Sequence, residues 1–180
     1  MAPPASPFDR PIALVGMPGA GKTSVGRLLA ERLGLGFRDT DEEVVRETGR
    51  TVEQLFVMEG VAAFRRHERQ AVARLVDSSR LVIATGGGAM VEPRTRRLLL
   101  SRTIPVWLQA SPETLMRRLA EAPPRPLLIG GGLLVKLKAM AAERQRFYEQ
   151  AHIHLRTDKL GLVESAEAAA DALEAWQARP

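Results

Sequence analysis

The chain has no cysteine among its 180 residues. That excludes disulfides, thiolate nucleophiles and zinc held by cysteine. Aromatic residues make up 4% of the total, too few for the rows of rings on which single-stranded nucleic acid stacks. Lysine is scarce as well: of 26 basic residues only Lys22, Lys136, Lys138 and Lys159 are not arginine. No apolar run approaches the roughly 18 residues of a membrane-spanning helix. Residues 1–11 lack both the basic start and the apolar stretch of a secretory signal. These absences lead to an expectation of a cytoplasmic protein with no membrane and no nucleic-acid partner.

What is present is an ordinary globular balance, 45% hydrophobic and 26% charged, at a length that suits one domain. The formal charge is +5, and it comes from arginines spread along the chain rather than blocked together. The guanidinium fork matches carboxylates and phosphates, so a small anionic molecule is the partner class this charge favours.

Strand and helix signals alternate throughout. Residues 1–11 read as a disordered tail and residues 12–180 as a single domain. Ile12-Ala13-Leu14-Val15 and Leu81-Val82-Ile83-Ala84 are short, wholly apolar runs, the pattern of strands buried on both faces. Val25, Leu28, Leu29 and Leu33 fall at helical spacing, and Gly34 ends that helix. Thr51 with Gln54 forms a capping box, and residues 62–76 read as a long amphipathic helix. Ser111-Pro112 opens another helix. Further helices are expected over 93–100, 133–150 and 165–178, and strands near 36–38, 104–108 and 152–156. Such alternation predicts an α/β fold with a parallel sheet.

Gly16-Met17-Pro18-Gly19-Ala20-Gly21-Lys22-Thr23 follows the first strand and opens the first helix. That is the G-x-x-x-x-G-K-[ST] pattern of a P-loop in its confirming context. Glycines let backbone N–H groups turn around phosphate oxygens, and the helix N-terminus adds positive potential. Lys22 would reach the β- and γ-phosphates, and the Thr23 hydroxyl would ligate Mg²⁺. ATP and Mg²⁺ are therefore the expected co-substrate and cofactor.

Other segments narrow the choice. Asp39-Thr40-Asp41 ends the second strand, where open α/β sheets bind ligands. Its carboxylates could serve a metal and a substrate hydroxyl, or simply cap the next helix. Arg65 lies on a helix beside Arg66 and Arg69. Gly86-Gly87-Gly88 follows a buried strand and permits close approach of a ligand. Arg125-Pro126-Leu127-Leu128 sits in a Pro/Gly-rich stretch, about 122–132, with the composition of a closing lid. His67, His152 and His154 do not form a metal-ligand set. His152 and His154 read as structural residues sharing one strand face.

Taken together, the P-loop, Asp39-Thr40-Asp41, Phe64-Arg65-Arg66-His67-Glu68, Gly86-Gly87-Gly88-Ala89, Arg125-Pro126-Leu127-Leu128 and Arg144 with Tyr148 resemble the shikimate kinase family. The resemblance spans residues 12 to about 156. It implies a three-layer P-loop fold: a five-stranded parallel sheet flanked by helices, a substrate-binding helical region and a mobile lid. It implies transfer of the γ-phosphate of ATP to the 3-hydroxyl of shikimate in aromatic amino acid biosynthesis, by a monomer. Lys22, Asp41 and Arg125 would be catalytic. Gly19, Ala20, Gly21, Lys22, Thr23, Ser24, Arg118 and Arg125 would bind ATP, with Arg118 packing on adenine. Asp41, Arg65, Gly86, Gly87, Gly88 and Arg144 would bind shikimate, the two arginines clamping its carboxylate. Thr23, and Asp39 through water, would hold the metal. The chain departs from the family pattern at Ile129-Gly130-Gly131-Gly132 after the lid motif, and at Arg146, where a proline is usual. Arg144 and Arg146 are thus both eligible as the second clamp, and the four-residue spacing to Tyr148 favours Arg144. Another small-molecule kinase, such as a gluconate kinase, and a non-catalytic ligand-binding module are the competing readings.

Overall fold

The computed structural model describes residues 8–78, 80–121 and 132–178. Five parallel strands form one sheet in the order β2-β3-β1-β4-β5. They are β1 (Ile12–Val15), β2 (Gly36–Asp39), β3 (Leu81–Ala84), β4 (Ile104–Gln109) and β5 (Ile153–Arg156). The central β1 is buried along its whole length, as its unbroken apolar run requires. The described helices are α1 (Lys22–Leu33), α2 (Thr40–Thr48), α3 (Val52–Leu75), α4 (Pro93–Arg102), α5 (Pro112–Ala120), α6 (Leu133–Tyr148) and α7 (Leu162–Gln177).

Local chemistry sets the helix ends. Thr51 and Gln54 make the reciprocal capping box expected of them. Glu92 caps α4 and Ser111 caps α5, each ahead of a proline in the first turn. Gly34 and Gly49 close α1 and α2 in left-handed geometry.

The chain joins the core earlier than the expected boundary at residue 12. Phe8 is buried in the main core, and the Pro11 carbonyl accepts from the Ile104 backbone at 2.8 Å. A second, smaller core lies apart from the main one. Val44, Leu55, Phe64 and Ala71 form it, with Val52 and Phe56 against them. It binds α2 and both ends of α3 into an arm beside the sheet.

His152 and His154 are structural, but they do not share a strand face. His152 precedes β5 and stacks on Trp176 of α7 at 5.7 Å, whereas His154 sits edge-on to Trp107 at 5.3 Å. Burial, with the nearby Arg10 guanidinium, holds the His152 pKa below its ordinary 6.5. Protonation therefore opposes folding. The stability from keeping this ring neutral is complete above about 6.5 and is lost as pH falls through the lowered value. His152→Phe should flatten the fall in Tm between about pH 7.5 and 5.5, measured by thermal denaturation. An equally steep fall in the variant would assign the loss to other groups.

Candidate active site

The P-loop connects β1 to α1. Gly16, Gly19 and Gly21 have φ of 145°, 82° and 88°, which side-chain-bearing residues rarely adopt. Those turns aim backbone N–H groups at one point ahead of α1. The first turn of α1 carries Lys22 and Thr23. Lys22 is buried, and its Nζ donates to the carbonyls of Gly16 and Met17 at 2.9 Å each. A cleft of about 560 Å³ opens here. Its walls include Gly19, Ala20, Gly21, Lys22, Thr23, Ser24, Asp39, Asp41 and Arg118, which places every described residue expected at ATP or metal around one space.

Asp39 uses both of its oxygens, and one of them makes the helix cap. Its Oδ1 accepts from the Asp41 backbone N–H at 2.9 Å and so caps α2. Its Oδ2 accepts from the Thr23 hydroxyl at 2.7 Å. Asp41 stands in the first turn of α2 rather than in extended chain. On the far wall Arg118 is held by Thr157, through the backbone carbonyl at 2.7 Å and the hydroxyl at 3.3 Å. Burial lowers the Arg118 pKa, and the guanidinium stays charged.

Thr23 and Asp39 fit a magnesium ion. Among the described residues no group of three His, Asp or Glu could hold a metal alone. Magnesium beside a nucleotide needs no such cage, because one or two protein oxygens, phosphate oxygens and water complete its shell. The Thr23 hydroxyl and the Asp39 carboxylate are two such oxygens, already in contact.

A second group of residues surrounds the glycine run after β3. The Gly86 N–H donates to the Thr40 hydroxyl at 3.0 Å. The Gly87 carbonyl accepts from Arg144 Nη1 at 3.0 Å and from the Tyr148 hydroxyl at 2.6 Å. Burial pushes the Tyr148 pKa to about 12, so the phenol remains a donor. A Cβ at Gly88 would collide with the Arg65 guanidinium, and one at Gly86 with the Glu68 carboxylate. Charged groups press against Gly86 and Gly88, and Pro18 crowds Gly87 between them. Arg146 does not reach this run. Arg146 lies over the Phe147 ring at 4.7 Å, so the geometry brings Arg144 to the glycine run.

Arg65 is mostly buried and donates to Glu68 Oε2 at 2.6 Å, while Arg66 is exposed. Glu68 is fully buried. Burial raises its pKa and the Arg65 charge opposes that rise. Its Oε1 has no hydrogen-bond partner among the described residues. Neither Glu68 nor Tyr148 was given a role from sequence. The available signal was spacing: Glu68 follows Arg65 by three on the face that also buries Phe64, Ala71 and Val72. Asp41 joins the two groups, since it lines the phosphate cleft and its Oδ1 lies 3.0 Å from where a Gly86 Cβ would stand. Arg125 and the expected lid, apart from Gly132, lie outside the described residues.

A parallel sheet of this order, a P-loop at its centre and a second polar group that meets the cleft at one carboxylate define a P-loop phosphotransferase. Comparison with known proteins gives the particular family. The family model described as "Shikimate kinase" matches residues 18–174. The shikimate kinase of Symbiobacterium thermophilum is 48% identical over 84% of this chain and 88% of that protein. That of Zymomonas mobilis is 38% identical over 86% of this chain and 88% of its own length. The structure of shikimate kinase from Acinetobacter baumannii in complex with shikimate superposes with a TM-score of 0.91 at 35% identity, covering 97% of both chains. The chain belongs to the shikimate kinase family, and it is a kinase.

Proposed function

We propose that the chain transfers the γ-phosphate of ATP to the 3-hydroxyl of shikimate, giving shikimate 3-phosphate and ADP. The observation that carries this reading is the junction at Asp41. Its carboxylate lines the phosphate cleft and also stands beside Gly86, the first residue of the run whose Gly87 carbonyl accepts from Arg144 and whose Gly88 lies against Arg65. A hydroxy acid whose carboxylate meets the two guanidinium groups would present a hydroxyl to Asp41, in line with a phosphate held by the P-loop. In-line geometry and charge neutralisation supply most of the rate of such a transfer.

Lys22 and the P-loop N–H groups hold the β- and γ-phosphates. Asp41 orients the acceptor hydroxyl and takes its proton. The residues that would hold magnesium are Thr23, directly, and Asp39, through water; when bound, the ion neutralises charge on the β- and γ-oxygens. Arg125 brings a further positive charge from the lid segment. Arg118 packs on adenine. The cytoplasm is the compartment that fits a cysteine-free chain, and a monomer is the assembly we assign.

The direct test is ADP release by the purified chain with ATP, magnesium and either shikimate or gluconate. Turnover with shikimate alone is expected, and turnover with gluconate but not shikimate would refute the assignment. Arg118→Ala should raise the KM for ATP about 3-fold to 30-fold, the span of a cation packed on a ring. The KM for shikimate should stay constant in the same steady-state assay. Equal changes in both would move Arg118 out of the adenine site.

A further inference from the structure

Helix α3 is not one helix. Gly60 interrupts it with φ 81° and ψ 170°, a region essentially confined to glycine. Steric room does not explain the glycine, because a Cβ at this position would meet nothing within 4 Å. Only the backbone angle requires it.

Two contacts show what the break achieves. The Phe56 and Phe64 rings stack at 4.7 Å. His67 Nε2 lies 3.7 Å from Glu59 Oε2. Each pair is eight residues apart, and in a continuous helix eight residues rise about 12 Å. Both contacts exist because the chain folds back at Gly60. Arg50 also pairs with Glu59, so the residue before the break is held from both sides. The fold-back closes the small core that unites α2 with the two halves of α3. Asp41 opens α2, and Arg65 begins the second turn after the break. The joint therefore lies between Thr40 and Asp41 on one side and Arg65 and Glu68 on the other, the groups that meet the glycine run from this arm.

We propose that Gly60 is a positioning residue for the acceptor. Its backbone angle sets the arm so that Asp41 and Arg65 face the same shikimate molecule. This inference rests on the reading of Arg65 as a carboxylate clamp. An L-residue at position 60 drives the joint toward helical angles, which alanine favours most, and separates the two groups. A D-residue is at ease at the observed angles, which mirror an ordinary extended conformation.

The test compares Gly60→Ala with the same chain carrying D-alanine at position 60. The chain lacks cysteine, so ligation at Ala62 through a temporary cysteine followed by desulfurisation leaves no other change. Gly60→Ala is expected to raise the KM for shikimate about tenfold or more, with the KM for ATP within about twofold. The D-alanine protein is expected to match wild type. Equal KM values for both forms, whether normal or impaired, would overturn the proposal. If Gly60→Ala does not fold, Gly60→Asn serves: as an L-residue it is equally excluded from these angles, but it pulls the joint less strongly toward helix. A normal shikimate KM in an Asn variant with lowered Tm would reduce Gly60 to a structural role. Arg65→Ala in the same assay separates the two ideas. A normal KM there refutes the clamp, whereas a raised KM there beside a normal one in Gly60→Ala refutes this inference alone.

Discussion

Lys22→Ala is expected to lower kcat by about 10³-fold, the upper range for loss of one charged donor to a transition state. The Lys22 side chain is buried, and its ammonium rests on two P-loop carbonyls. It is thus positioned before any phosphate arrives, and little reorganisation remains when the γ-phosphate comes into place. In a site with little water such a charge acts far more strongly than at the surface. The KM for shikimate should change by no more than about twofold, because the acceptor group surrounds Gly87 and does not include Lys22. Steady-state turnover on protein of wild-type Tm is the measurement. A kcat within tenfold of wild type would show that Lys22 does not meet the transferred group.

The second large effect belongs to the proposed carboxylate clamp. Arg65 is fixed by Glu68, and Arg144 by the Gly87 carbonyl. Each fork is anchored through Nη1, which leaves Nη2 for a ligand. A charged hydrogen bond contributes about 1.5–3 kcal/mol, so each Ala variant should weaken shikimate binding about tenfold to 150-fold. The double variant should lose about 10²-fold to 10⁴-fold, less than the product where the two forks share one carboxylate. Titration calorimetry with shikimate and with its carboxamide separates charge from shape. Wild type should discriminate strongly against the amide, and the double variant hardly at all. Arg146→Ala should bind as wild type does. Equal discrimination in wild type and in the double variant would remove the clamp.

The nucleotide side of this site was legible in the chain itself. The P-loop is local: its glycine dihedrals, the helix start and the lysine all lie within eight consecutive residues, so spacing alone specifies them. The apolar runs of β1 and β3 were equally plain, because strands buried on both faces leave no room for polar residues. The pair of contacts made by Asp39 was not. Both its readings were chemically sound, and the partner of its second oxygen, Thr23, is 16 positions away. The choice between Arg144 and Arg146 was likewise a matter of helix rotation against a distant loop. They stand two apart on α6, so only one can face Gly87, 57 positions earlier.

The sequence by itself determined the alternation of elements, the phosphate loop and the family. The first two rest on periodicity and on a motif read within one segment, and the family on a set of motifs along residues 12 to about 156. Tertiary structure decided which charges meet. It brought Arg65, Glu68 and Tyr148 to the glycine run and folded α3 back at Gly60. The physical reason is that the groups around the glycine run come from α2, α3, the β3 loop and α6. Their relative placement comes from packing of the two cores, and no local pattern encodes it.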